Sequence, residues 1–521
     1  MRNSLALEVR RGKISKVSKE SLDVKKEVVR SLSEISSKSR SSIKLPKMTK
    51  VETEIFELAK EIMPQALYSM GIEELGDRLW IPSEENIAIA VSKINRLKLA
   101  CYKSRDRLCA KYLDSLLCQL QCGEPQHDLG SIVDVLSAHL IKEGVNTKRI
   151  SKLIDQLSDL VLASLQKFEK RRFTTAVKVL VQYAVMGSRE IVSVIERESG
   201  GDRELLGRLR SLRERVGQFS LHFSVNGFGD GEFERVDKIL RREGAYLGRE
   251  SFYKRAIRSG FDYHETPADL EKKALRWLGE DLPKLRRITK KLSRTLKCPS
   301  DPESVERALK SRPQVSPQEA VAATRKIRPV IKQLVEKYVV GINPSYNCEV
   351  LETPSYLAPV LPSAGALGLD AFTDHPVQRY YVTTDPKRDP IGGFAELVNT
   401  LVHEEFGHCV HFSNSAISYA ANPRILELLP SLHGGPTSEG LAFQRELEFL
   451  DLLKKLSKKR PRNYSQEEEN YVALTREYGG FEQTLQEIEF ATYRFRIVRF
   501  LRVVGDVRIN TGKQDLIEFL D

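Results

Sequence analysis

Apolar residues recur at three- and four-residue spacing through most of residues 51–336, with Lys, Arg and Glu between them. This spacing places the apolar side chains on one face of an α-helix, so it predicts a helical region. The pattern is clearest in six segments: Ile87 to Leu116, Asp128 to Leu140, Ile150 to Phe168, Arg203 to Leu221, Pro267 to Leu278 and Leu282 to Leu296. No internal repeat of solenoid length accompanies it.

The pattern changes from Gly341 onward, where prolines interrupt short apolar segments. Arg379 to Thr384 is rich in β-branched and aromatic residues, which predicts a strand. Asp385 to Gly393 contains prolines and glycines and predicts a turn. The residues that follow, Phe394 to Val402, are mostly apolar and predict a helix. We therefore predict a mainly α protein with a small β-sheet.

The chain of 521 residues is long enough for two or three domains. We predict a basic, Ser- and Lys-rich leader at residues 1–50, whose composition is typical of a segment without a packed core. A helical domain is predicted at residues 51–336. Residues 337–521 are then the candidate catalytic region.

The net charge of +12 is unevenly distributed along the chain. Residues 1–50 hold 14 Lys and Arg against 5 Asp and Glu, a net charge of +9, which leaves +3 for all other residues. A nucleic-acid-binding domain concentrates its basic residues on a folded surface. The distribution therefore argues against a nucleic-acid partner, and binding through the leader is the third of three functional hypotheses.

Cysteine usage and hydropathy favour the cytoplasm. The seven cysteines are scattered, and no two have Cys-x-x-Cys spacing, which is typical of free thiols in a reducing compartment. The charged start, Met1 to Ser15, lacks the apolar core of a signal peptide. No run of 18 apolar residues is present, so no membrane partner is expected. The oligomeric state does not follow from the sequence.

The candidate chemistry lies in residues 403–411, where three of the nine histidines and two glutamates fall within nine positions. Glu439, on a second predicted helix, follows 31 residues after His408. Two helical histidines, an adjacent glutamate and a later glutamate are the components of a zinc peptidase site. His403 and His408 would provide neutral nitrogen ligands, with Glu439 as the third ligand. Glu404 would act as the base that takes a proton from the attacking water, and Zn²⁺ is the predicted cofactor.

The spacing of the two histidines imposes a condition on the helix. His403 and His408 are at i and i+5, about 140° apart around a regular α-helix, so they cannot face one ion there. A π-bulge aligns i with i+5 and is common at functional sites. Gly407 lies where such a distortion is easiest, because it has no Cβ to clash.

A second register needs no bulge. Glu404, His408 and His411 stand at i, i+4 and i+7, on one face of a regular helix. Glu404 and His408 would then be the ligands, with Glu405 as the base. We prefer the first register because it supplies two imidazoles and keeps a base beside the first of them.

The second predicted helix starts near Pro436, which suits a first helical turn. Glu439 and Glu446 are seven residues apart and share a face of this helix. Glu446 would hydrogen-bond a ligand imidazole. His433, in the loop before the helix, is a candidate hydrogen-bond donor near the substrate.

Four other residues are candidates for substrate contacts. Tyr380 and Tyr381, in the predicted strand, could stabilise a developing oxyanion. Arg499 and Arg502 lie in a predicted helix, Tyr493 to Val504. A bidentate clamp of one arginine on a substrate carboxylate would make the protein a carboxypeptidase. A strand beside the metal site would also bind an extended peptide by adding to the sheet edge.

These two segments resemble a bacterial and archaeal family of gluzincin-type metallopeptidases with His-Glu-x-x-Pro-Gly-His-His and Glu-Gly-Trp-Ala-x-Tyr-x-Glu motifs. Residues 403–408 resemble the first motif without its proline. Residues 439–446 resemble the second, with Leu441 for Trp and Gln444 for Tyr. Three other stretches are similar: Leu247 to Tyr253, Tyr380 to Thr384 and Arg499 to Asp506. Dipeptidyl peptidase III shares the i, i+5 spacing, and thimet-type oligopeptidases share Glu-Phe-Gly-His.

The resemblance implies a helical protein with a thermolysin-like two-helix zinc core. His403, His408 and Glu439 would be ligands and Glu404 the base. The leading hypothesis is therefore a zinc-dependent metallopeptidase, a hydrolase whose partner is a peptide substrate. The alternative is a catalytically impaired protein of the same fold that acts as a binding or scaffold module.

Overall fold

The computed structural model of the protein describes residues 45–226, 233–311, 315–355, 357–358, 361, 363–373, 376–388, 390–421, 424–429 and 434–520. Most of the predicted leader, and His433, lie outside these residues. The protein is mainly α-helical with a small three-stranded sheet, as predicted. No helix in the described part of the chain is both long and apolar enough to cross a lipid bilayer.

The α-helices are α1 (Lys50–Ile62), α2 (Pro64–Ser69), α3 (Glu84–Ser104), α4 (Arg107–Gln121), α5 (Pro125–Glu143), α6 (Thr147–Phe168), α7 (Thr175–Glu198), α8 (Arg203–His222), α9 (Phe233–Glu243), α10 (Glu250–Arg255), α11 (Pro267–Leu296), α12 (Pro302–Lys310), α13 (Ala320–Tyr338), α14 (Phe394–Leu401), α15 (Val410–Ala421), α16 (Gly434–Leu456), α17 (Gln466–Thr475), α18 (Phe481–Asn510) and α19 (Leu516–Leu520). In the described ranges, two segments are π-helical, Ala256–Gly260 and Val402–Cys409. Single 3₁₀ turns lie at Glu73–Leu75, Pro317–Glu319, Ile425–Glu427, Pro461–Asn463 and Arg476–Tyr478.

Two helix predictions need correction. The segment from Ile87 to Leu116 is two helices, because Arg105 has a left-handed conformation (φ 57°) and Asp106 caps α4 by accepting a hydrogen bond from the Cys109 N–H. The two helices predicted between residues 267 and 296 are one, which contains Pro283. Packing of α11 along α18 outweighs the missing N–H of that proline.

The sheet consists of β1 (Cys348–Glu352), β2 (Ala364–Leu369) and β3 (Val377–Val382) in the order β1-β3-β2. Strand β3 pairs parallel with β1 and antiparallel with β2. The predicted order of strand, turn and helix is confirmed, since β3 leads through a turn into α14.

The core of the C-terminal part surrounds α14, where Leu397, Val398 and Leu401 are fully buried. Helices α11, α13, α16 and α18 and the sheet contribute most of the other residues of this core. It therefore contains residues from both sides of the predicted boundary at 336/337, and the division into domains stays a prediction. Among the described residues, three further cores lie mainly among α1–α4, among α5–α8, and between α7, α9 and the C-terminal ends of α18 and α19.

A buried polar cluster joins α2, α5 and α6 at the carboxylate of Glu143. Glu143 accepts hydrogen bonds from the Tyr68 hydroxyl (2.7 Å) and the Asn146 amide (3.0 Å). The Nδ1 atom of His139 lies 3.1 Å away, and Arg149 forms an ion pair at 3.3 Å. Burial alone would raise the pKa of Glu143, but these partners lower it to about 2.

We expect Glu143→Gln to lower the free energy of unfolding by about 2–3 kcal/mol at pH 7. The pKa of this carboxyl is lower in the folded chain than its ordinary value of 4.5. Its stabilisation is therefore present above about pH 5 and is lost as the pH falls through the folded-state pKa. Urea unfolding at pH 7 and at pH 3 measures this. The difference between wild type and variant should shrink at the lower pH, whereas the exposed control Glu214→Gln should change little at either pH.

Candidate metal centre

The histidine motif occupies the π-helical segment Val402–Cys409, between α14 and α15. The predicted π-bulge is therefore confirmed. Its wider turn brings residues i and i+5 to the same side, and the rings of His403 and His408 lie 5.0 Å apart between centroids. In a regular helix these rings would point about 140° apart.

Gly407 has a second role that spacing alone did not reveal. A Cβ at this position would lie 2.6 Å from the Cβ and 2.7 Å from the Cα of Ala442 in α16. The backbones of the π-helical segment and α16 are therefore so close at this position that no side chain fits between them. This close approach brings Glu439, on α16, to the two histidines.

The imidazoles of His403 and His408 and the carboxylate of Glu439 converge. Each offers one potential ligand atom, and these atoms lie within 4.8 Å of one another. The Nε2 atoms of His403 and His408 lie 3.5 Å and 3.4 Å from the Glu439 carboxylate. The donor atoms of a tetrahedral zinc ion with bonds of about 2.0–2.1 Å are separated by about 3.4 Å. The donor types therefore suit Zn²⁺, and the two distances to Glu439 match the spacing of its ligands.

The other ring nitrogen of each histidine is held by α16. The Nδ1 atom of His403 lies 2.7 Å from Glu446, and the Nδ1 atom of His408 lies 2.9 Å from the Ser438 hydroxyl. When each Nδ1 carries the hydrogen, both Nε2 lone pairs are directed toward Glu439, as metal ligation requires. The predicted contact between Glu446 and a ligand imidazole is present.

Arg499 supports this arrangement from α18. Its guanidinium contacts both carboxylate oxygens of Glu446, at 3.2 Å and 3.4 Å. It also stacks over Phe443 at 3.2 Å from the ring centroid, and Phe443 in turn packs on His403. Glu446 is 2% exposed, so Arg499 supplies the positive charge that this buried carboxylate needs.

The electrostatics of the three candidate ligands are coupled. Burial lowers the pKa of His403, but hydrogen bonds to Glu439 and Glu446 outweigh burial and raise it to about 9. Hydrogen bonds with His403 and then His408 hold the pKa of Glu439 well below its ordinary range. The side chain of Glu439 is 54% exposed, so the centre is open to solvent on this side.

Glu404 lies beside the ligand group without belonging to it. Burial raises the pKa of its carboxyl, while the nearby His403 and His408 oppose that rise. The backbone N–H of Ala366 in β2 lies near the same carboxylate and also opposes the rise. A raised pKa and a position beside the two histidines are both suited to a general base.

Glu405 faces away from the ligand group. It is fully buried, and the Arg328 Nε atom lies 2.8 Å from each of its carboxylate oxygens. The Tyr346 hydroxyl donates a third hydrogen bond at 3.1 Å. Burial raises the pKa of Glu405, and the ion pair with Arg328 opposes this. These hydrogen bonds occupy its acceptor atoms and hold the π-helical segment against α13. The second register uses Glu405 as the base, so this engagement argues against that register.

His411 is not brought into the ligand group, which among the described residues contains His403, His408 and Glu439. Its Nδ1 lies 3.5 Å from the Ser415 hydroxyl. Burial, followed by the nearby charges of His408 and Arg445, lowers the pKa of His411.

The two tyrosines of β3 have different surroundings, because successive side chains of a strand point to opposite faces. Tyr380 is fully buried, and the charges of Glu404 and Glu405 raise its pKa in addition to burial. Its hydroxyl has no hydrogen-bond partner among the described residues. Tyr381 lies near Arg379 and Glu349 instead. The structure therefore brings Tyr380, and not Tyr381, to the candidate base.

The substrate-contact predictions change in two respects. Arg499 is engaged by Glu446, and Arg502 lies on the exposed face of α18. The predicted strand, β3, is the central strand of the sheet, so it has no free edge for a peptide. Within the described part of the chain, no strand pairs with the outer edge of β2, whose Ala366 N–H lies near Glu404.

Sequence reasoning missed four contributors to the site: Ser438, Phe443, Arg328 and Ala366. Ser438 and Phe443 flank Glu439 within one helical turn, so their proximity could have been inferred from spacing. Arg328 and Ala366 come from α13 and β2, more than 35 residues before the motif. No local signal links them to it.

Comparison with known proteins shows a similarity of fold only. No protein-family model and no curated protein matches the chain. One similar solved structure is described as "a putative lipoprotein of unknown function from Shewanella oneidensis"; it has 16% sequence identity, a TM-score of 0.54, and coverage of 88% of this chain and 82% of that chain. A second is described as a "putative lipoprotein from Colwellia psychrerythraea". It has 13% sequence identity and a TM-score of 0.43, with coverage of 91% of this chain and 95% of that chain.

Proposed function

We propose that the protein is a zinc-dependent hydrolase of peptide bonds. The observation that carries this proposal is the convergence of His403, His408 and Glu439 within 4.8 Å, with Glu404 beside them. Two imidazoles and one carboxylate are the donor set of open catalytic zinc sites, which keep a position for water or substrate. Zn²⁺ bound here would act as a Lewis acid that polarises the peptide carbonyl and makes water more acidic.

The part played by the chain itself is orientation and proton transfer. Glu446 and Ser438 hold the ligand imidazoles in one tautomer, and Arg499 holds Glu446. Glu404 takes the proton from the attacking water and passes it to the leaving amine. Its raised pKa favours accepting that proton.

We place the peptide along the free edge of β2. In an antiparallel pair, every second residue directs its backbone N–H and C=O toward the partner strand. The Thr383 N–H donates to the Ser363 carbonyl, so Ser363 and every second residue after it face β3. The residues between them face outward. Ala366 is one of the outward residues, and its N–H meets Glu404. An extended peptide added at this edge would lie beside the base. Arg499 is not the carboxylate clamp in this proposal, because Glu446 already engages it.

Metal analysis tests the proposal. We expect the purified protein to bind about one equivalent of Zn²⁺ and His408→Ala to lose it, because two remaining ligands hold zinc far more weakly than three. His411→Ala is the matched control. It removes a histidine three residues away on the same segment and should leave zinc binding unchanged.

A folded wild-type protein that takes up no zinc from a zinc-containing buffer would contradict the proposal and favour the scaffold hypothesis. With zinc bound, hydrolysis of short peptides with free or blocked termini distinguishes a carboxypeptidase from an endopeptidase.

We retain the cytoplasm as the proposed compartment, since all seven cysteines are free thiols.

A further inference from the structure

Two cysteines lie together at the end of α4, apart from the metal centre. Cys118 is in the last turn of the helix, and Cys122 follows as its C-cap residue. Their sulfur atoms are 3.8 Å apart, and the Cys122 N–H donates to the Cys118 carbonyl. Cys118 is 2% exposed, whereas Cys122 is partly exposed. One thiol can therefore meet a solute while the other lies directly behind it.

The surroundings of Cys122 favour the thiolate. The hydrogen bond from Cys118 lowers the pKa of Cys122 to about 7, and the Arg255 guanidinium acts in the same direction. Burial and the carboxylate of Glu124 oppose these effects. The thiolate is the nucleophilic form of cysteine, and an accessible thiolate beside a second thiol is the arrangement of redox-sensitive cysteines.

The other five cysteines lack this combination. Four of them are buried: Cys101, Cys109, Cys348 and Cys409. Cys298 is partly exposed, but among the described contacts no second thiol lies beside it. Cys298 is therefore a natural internal control, since it is also partly exposed and has no second thiol beside it among the described contacts.

We propose that Cys122 and Cys118 form a reversible, peroxide-sensitive thiol pair. The Cys122 thiolate attacks one oxygen of hydrogen peroxide, the O–O bond breaks, and hydroxide leaves to give a sulfenic acid. The Cys118 sulfur then attacks the Cys122 sulfur and expels the sulfenic oxygen as water, with the Cys118 proton, to form the disulfide. Peroxide is reduced by two electrons, and the two thiols are oxidised together. The sulfur atoms need to approach by less than about 2 Å to reach bonding distance.

The backbone tolerates this bridge. Residues i and i+4 of a helix have Cα atoms about 6 Å apart, within the range that disulfides span. The closed loop is very short, so the bond adds little stability by restricting the unfolded chain. A bond of this kind at a partly exposed position is readily reduced, which suits a reversible modification.

Mass spectrometry of the full-length protein treated with hydrogen peroxide tests the proposal. Trypsin releases residues 112–142 as one peptide that contains both cysteines. We expect this peptide to become lighter by two hydrogen atoms and to recover its mass after dithiothreitol. In Cys118→Ser, dimedone should trap a sulfenic acid at Cys122, whereas Cys122→Ser should give neither product.

The alkylation rate of the untreated wild-type protein provides a second readout that needs no variant. At pH 7 we expect iodoacetamide to modify Cys122 about tenfold faster than Cys298, and Arg255→Gln to reduce this advantage. Equal rates, or direct oxidation of Cys122 to the sulfinic acid without a disulfide in the wild type, would overturn the proposal. No metal-centre residue takes part, so the result is independent of the proposed hydrolase activity.

Discussion

Replacing Glu404 with glutamine is expected to leave zinc bound while lowering the rate of peptide hydrolysis by about 10²–10⁴-fold, the usual contribution of a positioned general base. Glutamine has the shape of glutamate, but its amide cannot accept a proton at neutral pH. Glu404 lies outside the group of His403, His408 and Glu439, so the metal ligands are retained. The measurement is kcat for a short peptide, together with the zinc content of the same sample.

Two further variants make this result decisive. Glu448→Gln changes a partly exposed glutamate of α16 that pairs with Arg445, and it should retain wild-type activity. Glu405→Gln weakens the buried pair with Arg328, so it should lower the free energy of unfolding before it affects chemistry. If instead Glu404→Gln were active and a well-folded Glu405→Gln were inactive, the base would be Glu405 and the proposed mechanism would be wrong.

Substituting Gly407 with alanine is expected to lower the free energy of unfolding by about 1–3 kcal/mol and to weaken zinc binding. The added methyl group would lie 2.6–2.7 Å from the Cβ and Cα of Ala442, and a Cα cannot move aside as the end of a flexible side chain can. Helix α16 must therefore shift. It carries Glu439, Glu446 and Ser438, so one methyl group disturbs a ligand and both contacts that orient the histidines.

A glycine-to-alanine substitution at a position with free space around it is expected to raise the free energy of unfolding instead of lowering it. Gly217, inside α8, has nothing within 4 Å of an added Cβ. Gly217→Ala should therefore stabilise the protein by up to about 1 kcal/mol, because alanine has the higher helix propensity. Thermal unfolding and zinc titration of both variants test the contrast. A Gly407→Ala protein as stable as Gly217→Ala, with zinc affinity unchanged, would show that the close approach to α16 is not required.

The distortion of the histidine helix could be predicted because it follows from local geometry. Imidazoles at i and i+5 share a side only where a helix has an extra residue in one turn, and Gly407 marked the place. The strand before the motif was likewise predictable from its β-branched and aromatic residues. Its position in the sheet was not, because pairing with β1 and β2 depends on distant segments.

The roles of individual charges were less accessible to sequence reasoning. Arg499 appeared as a substrate clamp, yet it neutralises Glu446 across two helices. Glu405 appeared as a possible base, yet it forms an ion pair with Arg328 of α13. In both cases the residue type was informative, but the partner lay more than 50 residues away.

The sequence by itself determined the mainly helical class, the candidate ligands His403, His408 and Glu439, and the condition that the two histidines can face one ion only across a π-helical turn. These depend on periodicity and spacing, which are properties of neighbouring residues. Only the tertiary structure decided which glutamate lies beside the candidate ligands, which strand presents its edge to them, and that Ser438 and Arg499 join Glu446 in holding the imidazoles. Those outcomes depend on the close packing of α16, α13 and the sheet around one segment, because long-range contacts place side chains that no local pattern encodes.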